Sequence, residues 1–106
     1  MGGQAEAIDT AKYDAEVQRL QKQVDRKSGG DADRAALAHA YLDRANALTK
    51  AKQYRAALGD YRRTLKYDPA NDEAKNMAGT IVSILQGMGR EVPTEGAEPT
   101  PLPYKK

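Results

Sequence analysis

The chain has no cysteine, no tryptophan and no phenylalanine, and six tyrosines are its only aromatic residues. Without cysteine there is no disulfide framework, no thiolate nucleophile and no thiolate metal site, and the redox compartment leaves no mark on the sequence. No apolar run approaches the roughly 20 residues that a membrane-spanning helix needs. Met1-Gly2-Gly3-Gln4 has neither the basic start nor the apolar centre of a signal peptide, and it lacks the Ser or Thr of a myristoylation site. These readings leave the compartment open, cytoplasmic or, if a signal was removed, periplasmic. A one-sided charge is missing as well. Charged residues make up 30% of the 106 residues and leave a net charge of +2, too little to make nucleic acid the default partner.

What is present is helical periodicity. Apolar residues recur at intervals of four, three and four in four segments: Tyr13, Val17, Leu20, Val24; Leu37, Tyr41, Arg44, Leu48; Tyr54, Leu58, Tyr61, Leu65; and Ala74, Ala78, Ile81, Leu85. This spacing predicts four amphipathic helices. Arg44 breaks its series, which requires its stem to lie on the apolar face while its guanidinium reaches water or a carboxylate. Ser28-Gly29-Gly30 is expected to stop the first helix and Asp31 or Asp33 to cap a second running near Asp33 to Lys50. The link Ala51-Lys52-Gln53 is so short that the second and third helices must fold back antiparallel. Pro69 ends the third helix by pushing Asp68 out of helical geometry, Asn71 or Asp72 starts the fourth, and Gly87 and Gly89 end it. The expected organisation is a flexible N-terminus over 1–9, one helical domain over 10–90 and a disordered Pro-rich tail over 91–106. Area bookkeeping for so small a helical domain nets about 3 to 5 kcal/mol.

The stretch Tyr41 to Pro69 resembles a tetratricopeptide repeat, a helix-turn-helix unit of roughly 34 residues. Tyr41 takes the bulky aromatic slot, Ala45 the small close-approach slot and Leu48 the next large one. Ala57 and Tyr61 reproduce the A-x3-F step, and Asp68-Pro69-Ala70-Asn71 the D-P-x-N ending. Ala78-Gly79 falls where the next repeat's L-G pair would fall, so Glu73 to Met88 is similar to a first helix acting as a cap. Val17 to Val24 resembles a preceding second helix in periodicity alone. Three departures stand out: Arg44 replaces the usual Leu, Lys52 the usual turn Gly and Thr64 the usual Ala. The resemblance implies an all-α fold of antiparallel hairpins stacked as a short right-handed superhelix. It also implies a protein or peptide partner, or another subunit in a larger assembly, lying against a concave helix surface.

In the helical wheel that surface is His39, Leu42, Asn46, Thr49 and Lys50, joined by Asn76 and Thr80 from the next helix. Its amides, hydroxyls and ammonium suit an extended peptide; a solvated helix face is the alternative reading. Asn46 matches one position of the family's carboxylate clamp, but Leu42 stands where that clamp needs Lys, so the clamp specificity is excluded. Catalysis and cofactors find no machinery in the sequence. His39 has only Asp43 one turn away, Ser28 and Ser83 lie in no nucleophile motif, and Gly29-Gly30 lacks the Lys of a phosphate loop. Lys50, Lys52, Arg55, Arg62, Arg63 and Lys66 make the third helix basic. They read as solubilising charges, with an acidic polymer or nucleic acid as the runner-up partner. Tyr54 and Tyr61 read as core residues rather than stacking platforms. The segment Pro99 to Lys106 favours polyproline geometry but has no P-x-x-P step.

Overall fold

In the computed structural model, which describes residues 4–26 and 30–105, the four periodic segments are four helices: α1 (Ala11–Asp25), α2 (Asp31–Lys50), α3 (Tyr54–Tyr67) and α4 (Asp72–Gly87). There is no strand among the described residues, and the fold is all-α. Helices adjacent in sequence pack against each other, with α2 and α3 forming the most intimate pair.

The punctuation is physical at each junction. The stop expected at Ser28-Gly29 lies outside the described residues, but α1 has already ended where Arg26 turns to extended backbone. Helix α2 begins at Asp31, two residues earlier than expected, and its N-cap is Gly30 rather than an aspartate. The Asp33 carboxylate reaches back instead, accepting the Gly30 N–H at 3.4 Å. Between α2 and α3 the chain reverses in three residues, with the Gln53 N–H donating to the Leu48 carbonyl at 2.9 Å. That reversal needs a left-handed residue, and Lys52 takes it at φ 61°. Asn71 caps α4 by accepting the Ala74 N–H at 2.8 Å.

Two apolar clusters share α2. The larger joins Leu42, Ala45 and Leu48 to Ala57, Leu58 and Tyr61 of α3 and to Ala74, Ile81 and Leu85 of α4. Ala57 and Tyr61 are both fully buried in this seam. The smaller cluster seats Val17 and Leu20 of α1 on Leu37, Ala40 and Tyr41. Leu42 departs from the expectation that it faces a partner. It is 6% exposed and belongs to the larger apolar cluster.

The two ends also differ from the sequence reading. Residues 91–105 have no helix or strand, as their prolines require, yet they return across α3 as a strap. Pro93 is buried, Arg62 pairs with Glu98, and the Gln53 side-chain carbonyl accepts the Leu102 N–H at 2.9 Å. At the other end the Glu6 N–H donates to the Ala51 carbonyl at 2.8 Å, and Ile8 packs on the larger cluster.

Candidate interaction surfaces

The chemistry of the surface starts from a buried ionic knot. Asp60, 1% exposed on α3, accepts from Arg44 Nε at 2.7 Å and Nη2 at 2.9 Å, and from Arg63 Nη1 at 2.8 Å. The second amino group of Arg44 reaches Asp14 of α1 at 2.9 Å, so one guanidinium ties three helices. Burial alone would lower the Arg44 pKa, but the hydrogen bonds and charge of Asp60, then those of Asp14, outweigh it and raise the pKa. Beside the knot, the Tyr41 and Tyr67 rings lie parallel at 6.2 Å, and the Gln21 amide bridges their hydroxyls. Arg44 sits 5.6 Å over the Tyr41 ring and Arg34 sits 5.2 Å over Tyr67. Burial, then the neighbouring Tyr67, raises the Tyr41 pKa.

The expected partner face divides into separate places. His39, Asn46 and Lys50 line an open groove of about 890 Å³ between α1 and α2. Ala35, Ala36, Ala40 and Ala47 form much of its lining, and Lys12, Tyr13 and Arg19 of α1 stand on the other side. His39 and Asp43 are exposed neighbours with Nε2 and Oδ2 3.5 Å apart. Asn46 is also committed to the interior. Its Oδ1 accepts the Tyr61 hydroxyl at 2.6 Å, while its Nδ2 donates to Glu73 at 3.0 Å and links α2 to α4. Thr49 lies 3.0 Å from the same hydroxyl and donates to the Ala45 carbonyl. The Tyr61 pKa is raised, chiefly by burial. Asn76 and Thr80 do not join the α1–α2 groove. They lie in a separate shallow depression on α4 with Gly79 and Ser83, where Thr80 donates back to the Asn76 carbonyl at 2.9 Å.

Two surfaces were missed by periodicity. Helix α4 and the turn that follows it have no charged residue from Asn76 to Gly89, in a chain that is 30% charged. That run is visible in the sequence. The other is the strap on α3, where Arg62 Nη1 donates to Glu98 at 2.6 Å and to the Pro93 carbonyl at 2.7 Å. Burial would raise the Glu98 pKa, but the Arg62 hydrogen bond and the N–H groups of Glu98 and Gly96 lower it below the ordinary value.

Among the described residues no group of three or more His, Asp or Glu side chains is placed to hold a metal, and no helix is long and apolar enough to cross a membrane. No protein-family model, no curated protein and no solved structure matches the chain.

Proposed function

We propose that this chain is a tetratricopeptide-like interaction module that receives a protein or peptide partner in the groove between α1 and α2. The carrying observation is that groove: about 890 Å³, open, lined by alanines, and edged by the exposed side chains of His39 and Lys50. Its size lies within the range of roughly 300 to 1,000 Å³ found for ligand sites. Alanines let another backbone come close, while the edge supplies imidazole and ammonium donors to a partner's carbonyls and carboxylates. A catalytic role has no comparable support, because His39 and Asp43 are both exposed and face each other on one helix without a nucleophile between them.

A photo-crosslinker placed at position 39 tests the reading. It should capture one protein reproducibly, and Ala36→Arg, which fills the groove, should abolish the capture while leaving the helical circular dichroism intact. Capture that survives Ala36→Arg, or none at all, would refute the groove as the binding site.

A second reading, a subunit of a larger assembly, is favoured by one observation. The uncharged run Asn76 to Gly89 leaves Gly79, Thr80, Ser83 and Met88 exposed, and interface cores are depleted in charge. Light scattering over a concentration series separates the two, since a monomer throughout that recovers no larger complex speaks for the groove alone. The basic α3 is a weaker candidate for nucleic acid, because Arg62 and Arg63 are engaged by Glu98 and Asp60.

A further inference from the structure

The strap and the face of α3 beneath it fit each other in the way a peptide fits a receptor. Arg62 is answered by no helix; its guanidinium takes a carboxylate from Glu98 and a main-chain carbonyl from Pro93. One turn earlier, Gly59 leaves the helix surface bare. A Cβ there would stand 2.9 Å from the Cβ of Glu98. A glycine weakens a helix interior, and here its missing side chain is what lets an extended chain lie against the helix. Two turns earlier still, the buried Gln53 reads the main chain through the Leu102 N–H. A charge-assisted contact thus sets register, and main-chain contacts on either side hold an irregular segment.

Val92 and Pro93 hold the start of the strap against the core, while further along Leu102 and Tyr104 remain 45% and 47% exposed; Gly89 turns the link from α4 at φ 70°. The strap itself carries Glu91, Glu95 and Glu98, of which Glu98 pairs with Arg62 of α3.

We propose that this face of α3 is a binding site for an extended, acidic, proline-containing peptide of another protein, and that residues 91–105 fill it as a built-in competitor. A tethered occupant acts at an effective concentration in the millimolar range, so a partner peptide gains entry when the tether's own contact is weakened. No α3 residue lines the α1–α2 groove, so this site and that one stand or fall separately.

The test titrates a fluorescent synthetic peptide of residues 91–105 into the 106-residue chain and follows anisotropy. Glu98→Ala in the chain should tighten peptide binding about tenfold or more over the unaltered protein, the scale of a lost charge-assisted hydrogen bond. Adding Arg62→Ala should remove the gain, and Arg62→Lys, which keeps the charge but loses the forked geometry, should remove most of it. A peptide carrying Glu98→Gln should bind about tenfold more weakly than the original. Equal affinity of Glu98→Ala and the unaltered chain overturns the proposal. So does an oligonucleotide that binds Glu98→Ala as tightly as the peptide does, since the face would then recognise bare negative charge.

Discussion

Arg44 shows how one residue that contradicts its helix pattern can organise three helices. An arginine in an apolar series is affordable only if its charge is met, and Asp60 and Asp14 meet it with three hydrogen bonds of 2.7 to 2.9 Å. Arg44→Leu restores the repeat-like residue but strands Asp60, 1% exposed, with Arg63 alone. Breaking a buried pair in this way costs about 3 kcal/mol or more, comparable to the whole stability of so small a helical domain. Urea unfolding followed by circular dichroism should show the variant largely unfolded in buffer. Replacing both partners, Arg44→Leu with Asp60→Leu, should recover much of the loss; a double variant no more stable than the single one would mean that the stranded Asp60, still paired with Arg63, is not the source of the cost. Lys52 makes the opposite kind of case. Its φ of 61° is a left-handed conformation that costs a residue with a Cβ roughly 1 kcal/mol, so Lys52→Gly should raise stability by about 0.5 to 1 kcal/mol in the same assay.

At the scale of the element, the strap is where local rules meet tertiary demand. Gly59→Ala improves helix propensity by about 1 kcal/mol but pushes a methyl into the Cβ of Glu98. The strap, with fewer contacts than the helix, should yield. Amide exchange is expected to accelerate over the strap while α3 keeps or gains protection; equal loss in both would show that the two form one cooperative unit. Acid should release the strap by another route. The folded Glu98 pKa lies below its unfolded value, so the stabilisation is complete above the ordinary glutamate range and disappears as pH falls through the folded value. Protection factors over 91–105, taken relative to the intrinsic exchange rate at each pH, should therefore fall as pH drops below the ordinary glutamate range in the unaltered chain, with a smaller fall in Glu98→Gln. These devices also mark the limit of what a sequence reveals. The four helices were legible because each repeats its burial every three or four residues, and the D-P-x-N turn because proline acts locally. The strap was not, since prolines carry no periodicity and its attachments are single side chains far away in the chain. Leu42 was misplaced for a related reason: a helical wheel gives angular position on α2, whereas membership of the larger apolar cluster is a tertiary fact.

For the whole molecule, the decisive feature is that two clusters of unequal size share α2. The larger draws on three helices and includes Leu48, Ala57, Leu58, Tyr61, Ala74, Ile81 and Leu85, all fully buried. The smaller holds α1 through Val17 and Leu20, at 7% and 5% exposure, together with the Asp14 bond to Arg44 and the Gln21 bridge to the tyrosines. Fewer buried contacts hold α1 than hold α3, so α1 should open on its own before the chain unfolds as a whole. Hydrogen exchange in low concentrations of urea should find the amides of α1 exchanging through a smaller opening energy than those of α2 and α3. Leu20→Ala should cost about 2 to 3 kcal/mol of that local stability and leave the slowest amides of α3 little changed. The consequence reaches function, because α1 forms one wall of the proposed partner groove. A partner seated against Tyr13 and Arg19 would stabilise the wall it touches, so its binding should slow exchange in α1 more than anywhere else. Uniform exchange across the four helices would remove this weakly held wall, and the coupling between partner binding and the closing of α1 would go with it.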